Sequence, residues 1–166
     1  FCILAVTGVR INELLPLKIS QLQTLIKYGW ITINRSKKGP SNQKAFLTSE
    51  GKKIIKNRKK DFEFISLLKP SDFYIFTSEK NPTKMLTRET LTRSVNRIMR
   101  KVSSQLPTKP NITSHSFRAG YIMDLWRDSK DIEFVRQTIN HRNLQTISKD
   151  VNKLSDQERQ DRIESF

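Results

Sequence analysis

A histidine and an arginine stand three positions apart in the segment Ser114-His-Ser-Phe-Arg-Ala-Gly120. Because side chains three positions apart share one face of a helix, His115 and Arg118 would emerge together. A guanidinium can hold two phosphate oxygens at once, and an imidazole can exchange a proton near neutral pH. Such pairs also cap or decorate ordinary helices, so the spacing alone is a weak indication of a phosphate site.

A second arginine, Arg10, follows a glycine turn in the segment Thr7-Gly-Val-Arg10. The apolar run before it is typical of the last turns of a buried helix, closed by Thr7 and Gly8. A second short helix is expected from Arg10 to Leu15, where Pro16 ends it. Arg10 is therefore expected at a helix start, where the simplest interpretation is a surface charge.

The remaining pattern predicts a mainly α fold with a small antiparallel β-sheet, in the α+β class. The segment 35–43 is polar and basic and carries Gly-Pro, which is typical of a hairpin tip. Short β-prone stretches are expected at residues 19–25, 30–34 and 44–47. Helices are expected over residues 49–67, from Leu86 onward, over 114–126 and 131–139, and in shorter pieces over 143–150 and 156–163.

The helix that begins near Leu86 is expected to be amphipathic, with a basic side. The basic side of a single helix is usually a solvated surface. Three basic segments in one small chain weaken that interpretation. The apolar positions are Leu91, Val95, Ile98, Met99 and Val102, and the basic ones are Arg93, Arg97, Arg100 and Lys101.

The overall charge favours a polyanionic partner. Lys and Arg number 31 against 16 Asp and Glu, which gives the 166-residue chain a formal charge of +15. No apolar run approaches the roughly 18 residues of a membrane-spanning helix, and no signal peptide is recognisable, so nucleic acid is expected rather than a membrane. Cys2 is the only cysteine, which excludes an internal disulfide and a cysteine-rich zinc site.

Three segments in order, TGVRINELLPLK, HSFRAG and INHRNLQT, together resemble the motifs of the tyrosine recombinase catalytic domain. This family includes the phage-type integrases and the Xer-like recombinases. The resemblance extends from Phe1 to about Ile163, and the 23 residues from Arg118 to His141 suit it. It implies the integrase catalytic-domain fold and site-specific DNA recombination or integration, through strand cleavage, a 3′-phosphotyrosyl intermediate and rejoining.

The resemblance also implies a set of site residues. The family's two arginines fall on Arg10 and Arg118, and its two histidines on His115 and His141. The arginines would hold the phosphate oxygens, and the histidines would donate hydrogen bonds to them. A hairpin lysine would protonate the leaving 5′ oxygen. Because side chains neutralise the phosphate charge, neither a metal nor a cofactor is required. The hairpin offers Lys37, Lys38 and Lys44 for this role, and Lys38, just before Gly39, is preferred. The predicted DNA contacts are Lys37, Lys44, Arg93, Arg97 and Arg142.

The chain departs from the family at the nucleophile. The family's tyrosine commonly lies nine positions after the second histidine, and that count reaches Asp150. Tyr28, Tyr74 and Tyr121 all precede His141, and none has a matching context. Cleavage is therefore expected to be lost, through engineered or natural inactivation. A partner chain that supplies the tyrosine is a weaker alternative.

Residues 1–166 are expected to form one C-terminal catalytic domain, truncated at its N-terminus and lacking the core-binding domain. The resemblance implies double-stranded DNA as partner, a homotetramer on two DNA sites in the full-length protein, and an intracellular location with DNA. A DNA-binding homologue without catalysis remains open, as do a type IB topoisomerase and a generic basic module.

Overall fold

The computed structural model describes residues 1–34, 42–78 and 80–139. The chain separates into two compact units, residues 1–121 and 122–166. The first unit begins with α1 (Cys2–Thr7) and α2 (Ile11–Leu14). Gly8 ends α1 with a φ of 60°, a left-handed conformation that glycine adopts without a steric penalty. The predicted glycine turn and the helix start at Arg10 are confirmed.

The prediction of a strand over residues 19–25 is wrong, because this segment lies in α3 (Ile19–Tyr28). Ile19, Leu22 and Leu25 are buried and recur every three residues, so that one helix face carries them into the core. The Gln21 side chain accepts a hydrogen bond of 2.9 Å from the backbone N–H of Lys18, which caps the first turn. The helical spacing of the apolar residues therefore outweighs their β-propensity.

The predicted hairpin arms are confirmed as β1 (Trp30–Ile33) and β2 (Gln43–Phe46), which pair antiparallel. Ile31 and Ile33 alternate with polar or partly exposed neighbours and lie buried, as does Ala45 opposite Ile31. One face of this ribbon therefore packs on the core, and the other carries Lys44. The tip, residues 35–41, lies outside the described part of the chain.

The single helix expected over residues 49–67 is two helices, α4 (Ser49–Asn57) and α5 (Lys59–Leu68). Arg58 interrupts them with φ −102° and ψ 13°, and neither glycine nor proline marks this break. The next helix, α6 (Arg88–Ser104), buries Leu91, Val95 and Met99. Its apolar face is narrower than predicted, since Ile98 and Val102 are each 41% exposed.

The core of the first unit is built from α1 to α6 and the inner face of the ribbon. The predicted helices after residue 113 are confirmed as α7 (Ser114–Ser129) and α8 (Ile132–Thr138). In the second unit, Ile122, Leu125, Val135 and Ile139 are buried. The helical pieces expected over residues 143–150 and 156–163 lie outside the described residues. Across the described ranges, no helix combines the length and the apolar character needed to cross a membrane.

The mainly helical architecture with a two-stranded antiparallel sheet confirms the predicted α+β fold class. The expectation of one catalytic domain over residues 1–166 stays a prediction.

Candidate functional site

Arg118 joins two segments that lie 110 positions apart in sequence. It projects from the second turn of α7, and its Nη1 atom donates a hydrogen bond of 2.5 Å to the carbonyl oxygen of Gly8. The residue is only 9% exposed, so that its charge is largely removed from solvent. Gly8 is two peptide units from Arg10, which separates their Cα atoms by at most about 7.6 Å. The fold therefore brings Arg118 to the turn that carries Arg10.

Tyr121 packs α7 onto the same turn. A Cβ atom on residue 8 would lie 2.8 Å from the Cγ atom of Tyr121, closer than van der Waals contact allows. The Tyr121 hydroxyl donates a hydrogen bond of 2.8 Å to the carbonyl oxygen of Phe46 in β2. Arg118 and Tyr121 are three positions apart and emerge on one side of the helix. Together they fix the start of α7 against the Gly8 turn and the ribbon.

Arg10 is held by a buried carboxylate. It stands at the N-cap of α2, and its side chain is 35% exposed. The Glu13 carboxylate accepts the backbone N–H of Arg10 at 2.8 Å and its Nη1 group at 3.0 Å. The Glu13 side chain is completely inaccessible to solvent, so that this pairing limits the positions Arg10 can adopt.

His115 lies in the first turn of α7 and is exposed. Its backbone N–H donates to the Thr113 hydroxyl at 3.3 Å, and the N–H of Ser114 donates to the side chain of Asn96 in α6 at 3.1 Å. These first N–H groups already have protein acceptors. A phosphate at this end of α7 would therefore be bound by side chains rather than by the helix terminus.

Three of the five basic residues predicted to contact DNA lie in the described part of the chain, two on α6 and one on β2. Arg93 and Arg97 are exposed on α6, one turn apart and on either side of Asn96. Asn96 thus ties this basic side of α6 to the start of α7. Lys44 lies on β2, and its Nζ atom is 4.2 Å from the ring centroid of Trp30, in a cation–π contact.

The structure brings together Arg10 and Arg118 at the Gly8 turn and places His115 three positions before Arg118 on α7. It does not test the remaining predicted positions, which lie outside the described residues. These are Lys37, Lys38, His141, Arg142 and Asp150.

Sequence reasoning missed the three residues that position the arginines. Glu13 lies in the first motif without a predicted role, although a carboxylate among Ile11, Leu14 and Leu15 indicates a buried partner. Gly8 was interpreted as a turn alone, and its contact with Tyr121 depends on tertiary packing. Asn96 carried no signal that distinguishes it from other polar residues on α6.

The arrangement can bind an anion without a metal ligand set. Arg118 reaches the turn that carries Arg10, and each guanidinium is anchored by an oxygen acceptor, Arg118 by the Gly8 carbonyl and Arg10 by the Glu13 carboxylate. Within residues 1–34, 42–78 and 80–139, no cluster of three or more His, Cys, Asp or Glu side chains could hold a metal ion. Anchored arginines cost little reorganisation when a phosphate arrives.

Known proteins of this architecture include several solved recombinases. XerA recombinase is 24% identical and superposes with a TM-score of 0.70, over 99% of this chain and 55% of that one. XerH site-specific recombinase bound to its difH substrate is 24% identical, with a TM-score of 0.63, over 92% and 41%. The Tn1549 transposon integrase with transposon right end DNA is 16% identical, with a TM-score of 0.63, over 99% and 56%.

The chain spans about half the length of these solved structures, and at such identities they establish the fold. The comparison with curated proteins found no match. The phage integrase family is matched over residues 1–157, which is most of the chain. The predicted resemblance is thereby confirmed, and the chain belongs to the phage integrase family of tyrosine recombinases.

Proposed function

We propose that this chain is the catalytic domain of a site-specific DNA recombinase or integrase, and that its phosphate site is centred on Arg10 and Arg118. The observation that carries the proposal is the anchoring of the buried Arg118 on the Gly8 carbonyl, two residues from Arg10. Burying a charged group is costly unless partners or a ligand stabilise it. A DNA phosphodiester has oxygens that two fixed guanidinium groups can share.

Each proposed residue has a role in the transfer. Arg10 and Arg118 stabilise the charge that grows on the non-bridging oxygens when phosphorus becomes five-coordinate. His115 and His141 donate hydrogen bonds to these oxygens. With a tyrosine at position 150, His115 accepts the proton of its hydroxyl as that oxygen bonds to phosphorus. Lys38 protonates the leaving 5′ oxygen as the P–O bond breaks.

Among the hairpin lysines, Lys44 is the least suited to protonate the leaving group, because its ammonium group is already held over Trp30. Lys37 and Lys44 are proposed to contact the DNA backbone with Arg93, Arg97 and Arg142. Since phosphate contacts release counterions, the affinity should fall steeply as salt rises.

The chain is proposed to bind DNA without cleaving it, because Asp150 occupies the position of the tyrosine. A carboxylate is several bonds shorter than a tyrosine, and the aspartyl phosphodiester it would form is labile. An ionised Asp150 near Arg10 and Arg118 would also compete with the DNA phosphate. Asp150 also favours a second candidate function, a homologue that only binds DNA and in which a tyrosine at position 150 would not restore cleavage.

The larger assembly is also a proposal. In the full-length protein, a core-binding domain precedes this catalytic domain and completes a clamp around double-stranded DNA. Four protomers act on two DNA sites, inside the cell and wherever the target DNA lies. No membrane has a part in this function.

The test is covalent trapping on a nicked suicide DNA substrate that carries a candidate site. The unaltered chain, Asp150→Tyr and Asp150→Tyr/Arg118→Gln are incubated with it, and adducts are resolved on a denaturing gel. We expect an adduct from Asp150→Tyr alone. Because one preorganised donor contributes about 2.7–4 kcal/mol, the double variant should react about 100- to 1000-fold more slowly.

Before the comparison, an active relative is used to show that the substrate and the N-terminal core-binding domain support adduct formation. Binding by every variant with no adduct from Asp150→Tyr would then support the binding-only function. An adduct from the unaltered chain would overturn the assignment of residue 150. An adduct that forms equally fast without Arg118 would overturn the phosphate site.

A further inference from the structure

A groove lined by lysines in the first unit has no lining residue in the Gly8 turn. It has a volume of about 350 Å³ and is bordered by the end of α3, residue Leu47 after β2, and the helices α4 and α5. Ligand pockets occupy about 300–1,000 Å³, so this groove suits one nucleotide-sized group rather than a duplex. The lining side chains include Lys27, Tyr28, Lys52, Lys56 and Lys59, with no carboxylate among them.

Two of the four lysines that line this groove share one face of α4. Lys52 and Lys56 are four positions apart on α4, a spacing at which like charges repel. The Lys52 side chain runs past the end of α3, since its Cε atom lies 3.6 Å from where a Cβ of Gly29 would stand. The Glu63 carboxylate pairs with Lys59 at 3.5 Å. It therefore does not offset the repulsion between Lys52 and Lys56. An anion in the groove would relieve it.

The exposed aromatic ring of Tyr28 borders the same groove. Tyr28 is 59% exposed, and its ring stacks on Trp30 with centroids 6.3 Å apart and an interplanar angle of 27°. The Lys27 ammonium lies 5.0 Å from the centroid of the Tyr28 ring. The Lys27 ammonium therefore already occupies one face of the Tyr28 ring. When a base stacks on that face instead, Lys27 can bind a phosphate.

We infer that this groove binds an unpaired segment of a DNA strand, with Tyr28 stacking on a base and Lys27, Lys52 and Lys56 contacting its phosphates. Lysines that follow a backbone, beside an exposed aromatic ring, are the combination by which proteins bind single strands without sequence preference. A base within a duplex cannot stack on Tyr28, because both of its faces already stack on neighbouring bases. This site goes beyond the proposed phosphate site, because it shares no residue with it.

The test measures binding of a fluorescein-labelled dodecathymidylate by anisotropy over a range of salt concentrations. Lys52→Gln/Lys56→Gln is compared with Lys53→Gln/Lys60→Gln, which removes the same charge from α4 and α5 outside the groove. Since each single-strand phosphate contact contributes about 0.7 to the salt slope, the groove pair should reduce it by about 1.4. The control pair should leave the slope close to that of the unaltered chain.

Tyr28→Ala and Tyr28→Phe separate stacking from charge. Loss of a stacked base should weaken binding of the dodecathymidylate about fivefold or more in the alanine variant, while the phenylalanine variant keeps its affinity. A duplex of equal length should not respond to either change.

Equal losses from the groove pair and the control pair would overturn the site. So would an alanine variant that binds as well as the phenylalanine variant, or a duplex that depends equally on Tyr28. Thermal melts of each variant verify folding, and the intact Arg10 and Arg118 keep this result independent of the cleavage assay.

Discussion

The ring of Tyr121 covers Gly8 so closely that no side chain fits between them. Gly8 also has a φ of 60°, and its carbonyl oxygen accepts the hydrogen bond from Arg118. Gly8 therefore meets three requirements at once. It adopts a left-handed backbone conformation, leaves room for the Tyr121 ring, and accepts the hydrogen bond from Arg118. The contact between the Arg10 turn and α7 depends on it.

Gly8→Ala should destabilise the fold. A left-handed alanine costs about 1 kcal/mol, and its overlap with Tyr121 costs about 1–3 kcal/mol more. The free energy of unfolding, measured by urea denaturation, should fall by about 2–4 kcal/mol. Gly120→Ala is the control, because a Cβ there meets nothing within 4 Å. That change lies inside α7 and should stabilise it by up to about 1 kcal/mol, so equal effects of the two would contradict this account.

Tyr121→Phe should weaken the fold without affecting chemistry. It removes only the hydroxyl that donates to the Phe46 carbonyl, a hydrogen bond worth about 0.5–1.5 kcal/mol. The urea midpoint should shift accordingly, whereas Tyr28→Phe, at an exposed position, should not change it measurably. In the Asp150→Tyr background, Tyr121→Phe should still form the DNA adduct. Its loss in a folded variant would mean that Tyr121 takes part in the reaction.

Glu13→Gln should affect both stability and the phosphate site. The amide keeps one acceptor for Arg10 but loses the charge that holds its guanidinium, so unfolding should require about 1–3 kcal/mol less. Misplacement of Arg10 should slow adduct formation by Asp150→Tyr by about tenfold to 100-fold. Glu50→Gln, at an exposed position on α4, is the matched control. Unchanged kinetics in Glu13→Gln would show that Glu13 supports the fold but not the position of Arg10.

The acid response of α8 should depend on one side-chain network. Hydrogen bonds from Arg136 and then Gln137 lower the pKa of Glu133 from 4.5 to about 2. Because the folded-state pKa is depressed, the stabilisation is present above about pH 4.5 and is lost as the pH falls toward 2. A carbon-13 NMR titration of the Glu133 carboxyl should give the lowered midpoint. In Arg136→Gln the midpoint should rise, and an unchanged value would exclude Arg136 as the main cause.

The sequence predicts the fold where a helical period and a terminating residue coincide. Gly8 after an apolar run and Pro16 after Leu15 were enough to place Arg10 at a helix start, as observed. The segment 19–25 contains β-prone residues, which predict a strand, but the spacing of Ile19, Leu22 and Leu25 is that of a helix face. The break at Arg58 has no local signal.

The candidate site was predictable only in part, for a physical reason. Residue type and spacing identify Arg118 as suited to phosphate, but its burial and its bond to Gly8 follow from long-range packing. Glu13 and Tyr121 act through such contacts as well. Local periodicity contains no information on which distant carbonyl a guanidinium will meet.

The hydrogen bond from Arg118 to Gly8 also has a consequence for biosynthesis. During translation, Arg10 leaves the ribosome more than a hundred residues before its counterpart, and closing so long a loop is entropically unfavourable until many contacts form together. A nascent chain that ends before α7 therefore contains Arg10 but not Arg118. A phosphate site that needs both arginines, as proposed here, can therefore form only after synthesis has passed α7.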